Sequence, residues 1–329
     1  MKCEEKEESS KAKMKYSDII STLPRENGWT TSNSLYQYQG FWYPSLFLES
    51  IISTQEHFKA QPTDLIVCSA PKSGTTWLKA LTFAITTRNQ FNESTNPLLT
   101  TIPHECIPLL EYDLAKNPTY RPPKLPLLAT HLPYTSLPRS ILACGCKILY
   151  VCRDPKDTFV SLWHFACKLG PKDAQYLPLE KAFEQFCKGI SAYGPYWDHA
   201  LGYWKASLEC PERVMFLKYE DMKRDTVFHV KRLAEYAGQP FSMEEEMEGV
   251  PQRITELCSF EHMSNLEVNK SGKHRPNSPM AINNSMYFRK GIVGDWKNHL
   301  TTEMIELLDQ ITEQKLGGSG LTFHVSSSP

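Results

Sequence analysis

Three stretches of the chain place a reactive side chain just after a short apolar run. Lys72 follows Leu65-Ile66-Val67-Cys68, His131 follows Leu127-Leu128-Ala129-Thr130, and Arg153 follows Lys147-Ile148-Leu149-Tyr150-Val151-Cys152. Lysine and arginine side chains bind anions, and a histidine with an ordinary pKa of about 6.5 suits proton transfer near neutrality. Around Lys72 the residues Pro71-Lys72-Ser73-Gly74-Thr75-Thr76 break the apolar run, and Trp77, Leu78, Leu81, Thr82 and Ile85 then recur at helical spacing. A Gly/Ser/Thr loop between a buried strand and a helix offers unpaired amides and the positive end of the helix dipole to one point in space, a site for an anion and most often phosphate. It is not a Walker A loop, in which Lys directly follows the second Gly; Lys72 precedes Gly74. By itself the loop also reads as ordinary strand-to-helix punctuation.

A second basic cluster, Arg289-Lys290-Gly291, closes a polar stretch at about 265–287 that lacks any period and reads as a lid-like loop. A further apolar run, Val214 to Leu217, ends at Lys218-Tyr219. Two separated basic clusters suit a ligand with two separated anionic groups, such as a nucleotide phosphorylated at both its 5′ and 3′ ends.

The elements that must hold these groups read as an α/β fold: a central parallel sheet flanked by helices, in a three-layer, P-loop nucleotide-kinase-like architecture. Ligands of such sheets collect outside the carboxyl ends of the strands, where His131 and Arg153 fall. Asp154 is a good N-cap and Pro155 a good first helical residue, so a helix is expected from Pro155 to about Leu169, with Ser161 about two turns in. Further helices are expected over Leu179 to Leu208, interrupted near Gly194-Pro195, over Val227 to Ala237, and over Thr302 to Leu316. The cluster Tyr36, Tyr38, Phe41, Trp42, Tyr43 either covers a sheet edge or lines an apolar pocket. Pro118 to Pro138 is a proline-dense run, residues 1–15 read as a disordered, charge-rich leader, and 16–329 as one domain.

With 36 basic and 37 acidic residues and a net charge of −1, the chain has no global attraction for nucleic acid or an anionic membrane, so anion binding must be local. The ten cysteines are scattered without CxxC pairs, several within apolar segments, which points to a reducing compartment and no metal site. No run approaches the apolar length of a membrane span, and the N-terminus lacks the apolar core of a signal peptide. The expected setting is cytoplasmic.

Five ordered motifs now coincide: Ser69-Ala70-Pro71-Lys72-Ser73-Gly74-Thr75-Thr76-Trp77, Thr130-His131-Leu132-Pro133, the run from Tyr150 to Ser161, Leu217-Lys218-Tyr219-Glu220-Asp221-Met222, and Arg289 to Asn298. Together they resemble the cytosolic sulfotransferases, and Leu23-Pro24-Arg25 with Gln39-Gly40-Phe41-Trp42 resembles the plant branch. The resemblance runs from about Leu23 to Phe323 and implies transfer of a sulfuryl group from 3′-phosphoadenosine 5′-phosphosulfate to the hydroxyl of a small hydrophobic acceptor: a brassinosteroid, another steroid or a flavonol-like compound. It implies that His131 is the base, that Lys72 with the amides of Ser73, Gly74, Thr75 and Thr76 holds the 5′-phosphosulfate, and that Arg153, Ser161, Arg289, Lys290 and Gly291 grip the 3′-phosphate. Trp77, Phe260 and Tyr219 resemble the residues that hold the adenine. Candidates for the acceptor pocket are Tyr36, Phe41, Trp42, Tyr112, His164, Phe165 and Tyr193.

The chain departs from the family pattern in places. Ala129 stands where animal members often carry a Lys two residues before the base, and Cys258 stands where a Thr commonly contacts adenine. The short dimer motif is only partly met by Lys297, Thr301, Thr302 and Glu306, leaving a monomer or weak homodimer. Two other readings stay open. A P-loop small-molecule kinase would need a magnesium-binding carboxylate beside the loop, for which Asp154 is the candidate, and an inactive binding homologue would have lost Lys72 or His131.

Overall fold

The computed structural model describes residues 15–30, 34–114, 126–169, 177–278 and 281–323. The leader at 1–14 and much of the proline-dense run lie outside them.

At the centre is a four-stranded sheet of β4 (Leu65–Ser69), β5 (Leu127–Thr130), β6 (Lys147–Cys152) and β7 (Val214–Lys218), ordered β5-β4-β6-β7. Every pairing is parallel. These are the apolar runs expected as strands, and they are continuous rather than alternating because both sheet faces are covered. Side chains of successive residues still point to opposite faces. Ile66, Cys68, Leu128, Ile148 and Tyr150 enter one apolar core, and Leu65, Val67, Leu127, Leu149 and Val151 enter the other.

Helices supply the outer layers. On the second face lie α2 (Thr75–Thr87), α6 (Thr226–Tyr236) and α7 (Val250–Leu257), which contribute Leu78, Leu81, Leu233 and Ile254. The first face is covered by α1 (Ser45–His57), α3 (Pro155–Leu169), α4 (Leu179–Cys187), α5 (Tyr196–Glu209) and α8 (Thr302–Leu316). The three expected layers are therefore present. The interrupted helix expected over Leu179 to Leu208 is two helices, α4 and α5.

Strand order locates the site. From β4 the chain passes to β5 on one side and then crosses to β6 on the other. That makes the carboxyl end of β4 a topological switch point, where crossovers part and leave a crevice. The registers Cys68↔Thr130, Ser69↔Val151 and Cys152↔Lys218 bring the ends of all four strands level. The loop bearing Lys72, then His131, Arg153 and Tyr219, follow those ends.

Two peripheral pieces frame the crevice. β1 (Arg25–Asn27), β2 (Ser34–Tyr38) and β3 (Phe41–Pro44) form a small antiparallel sheet. The stretch at 265–287, expected as a loop without period, has local structure: helical turns at Glu267–Ser271 and Asn284–Tyr287, and a two-strand ladder of β8 (Lys273–His274) with β9 (Ile282–Asn283). Its mixed polar sequence hides this because each piece is too short to show a period.

Candidate active site

The loop after β4 is built around backbone that only particular residues tolerate. Gly74, the residue before α2, has φ +114°, and a Cβ there would lie 2.9 Å from the Tyr219 ring. Lys72 is itself left-handed at φ +68°, an uncommon conformation for a residue with a side chain and a mark of functional loops. Among the described residues no side chain caps α2, and its first residues Thr75, Thr76 and Trp77 line the cavity above the loop. The Ser69 and Thr75 hydroxyls lie 2.6 Å apart and tie the strand end to the first helical turn.

A cavity of about 230 Å³ opens over this loop, lined by Lys72, Gly74, Thr75, Thr76, Trp77, Arg153, Ser161, Tyr219, Phe260, Arg289, Lys290 and Gly291 among others. Every sequence-chosen donor residue therefore converges there except Ser73, which is fully buried between two of them. Trp77 and Tyr219 meet edge to face at 5.3 Å, and the Tyr219 hydroxyl donates to the Gly291 carbonyl at 3.0 Å. Phe260 packs so closely on Gly291 that a Cβ there would come within 2.3 Å of its ring, so glycine is the residue this contact admits.

The cations are held by buried carboxylates, which sequence reading missed. Asp157 accepts from the amides of Gly294 at 2.7 Å and Trp296 at 3.1 Å and lies 3.3 Å from the Arg153 guanidinium, so it ties α3 to the basic segment. Asp295 accepts from Arg289 at 2.5 Å and Lys290 at 2.7 Å. Its side chain has no exposed surface, and these partners outweigh burial and hold its carboxyl well below the usual range. Even so, Arg153 Nε, Arg289 Nε and Ser73 Oγ are buried without a partner among the described residues. Orphaned buried donors of this kind cost free energy that an anionic ligand relieves, so the site fits a phosphorylated nucleotide. Asp154 is already committed as the cap of α3, accepting from the Lys156 amide at 2.8 Å.

Next to this cavity is a larger one of about 410 Å³, and the two share Pro71, His104, His131, Phe165 and Tyr287. His131 sits at that junction. Its Nδ1 is 2.8 Å from the Ser69 carbonyl, which can only accept, so Nδ1 carries the proton and Nε2 keeps its lone pair. The backbone is fixed as well: the His131 amide donates to Glu111 Oε1 at 2.7 Å, and its carbonyl lies 2.9 Å from His199 Nε2. Burial, with Lys79, His199 and Lys72 nearby, pushes the imidazole down to about 3, so it is neutral throughout the physiological range. Lys72 Nζ lies 4.1 Å from the Phe165 ring centre. Burial first, then Arg153, Arg289 and Lys168, pushes its ammonium down to about 7.

Of the residues expected on the acceptor pocket, Tyr112, Phe165 and Tyr193 line the larger cavity, while Tyr36, Phe41, Trp42 and His164 are absent from its walls. Phe41 and Trp42 are buried in β3, with Phe41 packed edge-on to His199 at 6.3 Å. Tyr36 stacks under Arg25 at 5.9 Å. These aromatics take the packing role of the two open to them, and Tyr43 beside them supports Tyr193 at 5.4 Å. His164 lies about 100° around α3 from Phe165, so it meets Trp163 and His299, each at 4.8 Å, instead of the cavity. Sequence reading missed Trp29, Phe47, His104 and Arg275 on the walls. Their segments carry no motif, and only the three-dimensional crossing brings them together.

A cationic nucleotide cavity at a switch point, joined through an imidazole to an apolar cavity, defines a nucleotide-dependent group transferase. The sulfotransferase domain profile matches residues 62–320. Cytosolic sulfotransferase 16 of Arabidopsis thaliana is 49% identical over 320 residues, covering 96% of this chain and 95% of its own. Flavonol 3-sulfotransferase of Flaveria bidentis is 52% identical over 312 residues, covering 92% and 98%. A mouse sulfotransferase solved with PAP superposes with a TM-score of 0.66 at 26% identity, over 87% of this chain and 95% of the other. The chain belongs to the sulfotransferase family, in its plant branch, and is a sulfotransferase whose donor is 3′-phosphoadenosine 5′-phosphosulfate. No helix among the described residues is long and apolar enough to cross a membrane.

Proposed function

We propose that this sulfotransferase sulfates a hydroxyl of a planar phenolic acceptor of the flavonol class, with His131 as base and Lys72 stabilising the departing phosphate oxygen. The observation that carries the reading is His131 itself. Its Nδ1 is committed to Ser69, and it lies on the boundary of both the cationic and the apolar cavity. The donor supplies an activated sulfuryl group. An acceptor hydroxyl in the larger cavity is within the reach of an unprotonated Nε2, and in-line transfer needs the two substrates on either side of that point.

The walls favour a flat ring system. Trp29, Phe47, Tyr112, Phe165, Tyr193 and Tyr287 surround the larger cavity, and aromatic walls bind planar aromatics through area and stacking. Arg275 lies 3.4 Å over the Tyr112 ring while paired to Asp113, leaving a polar corner for a second hydroxyl. Relatives at 51–52% identity are named for flavonols. On the opposite side of the reaction, Arg153, Ser161, Arg289, Lys290 and Gly291 would grip the 3′-phosphate at roughly 1.5–3 kcal/mol per hydrogen bond to a charged group.

The test is sulfate transfer from labelled donor to a panel of flavonols, brassinosteroids and other steroid alcohols, with and without EDTA. Flavonols are expected to be turned over at the highest kcat/KM, with EDTA making no difference because cations of the chain do the charge stabilisation. Preference for a steroid alcohol overturns the acceptor class. Turnover that needs ATP and magnesium overturns the donor, and no turnover of any acceptor favours an inactive binding homologue.

A further inference from the structure

Lys79 has no role in the reaction as described, yet it is a lysine with no exposed surface inside α2, one turn beyond the loop. Its ammonium donates to the Ile107 carbonyl at 2.9 Å and lies 3.3 Å from His104 Nδ1. The other nitrogen of that ring, Nε2, lies 3.0 Å from Thr76 Oγ1. His104 is itself buried and packs against Tyr287, with ring centres 4.2 Å apart and planes tilted by 30°. Thr76 and His104 both line the nucleotide cavity.

The donor and acceptor inventory sets the direction of this chain of contacts. An ammonium offers only donors, so the nitrogen facing it must be bare; a neutral imidazole then carries its proton on Nε2. That proton is donated to Thr76 Oγ1, which satisfies an acceptor site of the hydroxyl and leaves its own O–H to be donated elsewhere. Among the described residues the Thr76 hydroxyl has no other hydrogen-bond partner, and the space before it is the cavity. We propose that Lys79 and His104 are positioning residues that commit the Thr76 hydroxyl as a donor toward the 5′-phosphate end of the nucleotide, with one buried positive charge behind it. This rests on the reading of the loop cavity as the donor site.

A purely structural lysine would instead serve the Ile107 carbonyl, and the two roles separate in a double-mutant cycle read by calorimetric binding of adenosine 3′,5′-bisphosphate to the full chain. Lys79→Met and Thr76→Val are each expected to weaken binding by about 10- to 100-fold, the worth of a hydrogen bond aided by charge. Lys79→Met added to Thr76→Val should cost almost nothing more, because the hydroxyl through which Lys79 acts is gone. His104→Gln, which can accept on one atom and donate from another, should recover much of what His104→Phe loses. Losses that multiply in the double variant, or wild-type binding by Lys79→Met, overturn the proposal. A long-range ¹H–¹⁵N spectrum of the wild type gives a check independent of variant folding: His104 is expected with Nδ1 unprotonated, and a protonated Nδ1 overturns the inference. Failure of the wild type to bind the bisphosphate at all would instead remove the donor-site reading beneath it.

Discussion

The His131→Ala variant is expected to lose turnover by about 10²–10⁴-fold, the ordinary worth of a positioned general base and so the size of effect the proposed role requires, while its affinity for adenosine 3′,5′-bisphosphate is expected to stay that of the wild type. The separation follows from geometry. His131 is anchored by its backbone, through Glu111 Oε1 at 2.7 Å and His199 at 2.9 Å, so removing the imidazole leaves the end of β5 in place. The side-chain losses are the hydrogen bond to the Ser69 carbonyl, worth about 0.5–1.5 kcal/mol of stability, and the ring contact with Tyr193 at 5.5 Å. The pH profile supplies a second signature. With the free imidazole held down to about 3, the proposed base stays unprotonated above that value, so kcat/KM is expected to show no fall near pH 6.5 on the acid side. An acid limb at an ordinary histidine pKa, or equal rates in variant and wild type, would falsify the assignment.

How much of this was legible in the sequence depends on which interactions are local. Continuous apolar runs such as Lys147 to Cys152 announce a sheet covered on both faces, and the pair Asp154-Pro155 announces the start of α3, because strand burial and helix capping are written in adjacent residues. Lys72, Arg153 and Tyr219 stand out for the same reason, because each follows a strand end, whereas Ser161 and Arg289 to Gly291 are assigned their role only through the family resemblance. Legibility ends where a residue's role is set by something distant in the chain. Asp157 and Asp295 look like ordinary helix or loop acids, and only the fold places them under Arg153 and Arg289. Lys79 reads as a solvated lysine of an amphipathic helix until α2 is seen to be buried on nearly every side. In the acceptor pocket, aromatic density in β2 and β3 drew attention that belonged to residues scattered from Trp29 to Tyr287. A wall assembled from many segments leaves no local pattern, so only part of the set expected on the acceptor pocket, Tyr112, Phe165 and Tyr193, lines the larger cavity.

Lys72 combines both kinds of information, and it gives the prediction that most directly tests the loop. Its position before Gly74 is visible in sequence; its depressed ammonium is not, because burial and the cations Arg153 and Arg289 that cause it arrive from other elements. Lys72→Met should lower kcat by about 10²–10³-fold, the loss seen when one preorganised donor to a developing charge is removed. In addition, the ligand-free ammonium titrates at about 7, whereas a bound phosphate favours the charged form and raises that value. Above pH 7 the free protein has therefore lost a proton that the complex regains, so binding of adenosine 3′,5′-bisphosphate takes up a proton. Affinity is then full below about pH 7 and falls as pH rises from there toward the higher pKa of the complex. Calorimetry in buffers of different ionisation enthalpy reads this uptake directly. Wild type should show binding heats that depend on the buffer at pH 8, and Lys72→Met should show much less of that dependence. Equal uptake in the two proteins would assign the proton to another group and leave Lys72 charged, and ready for the nucleotide, before it arrives.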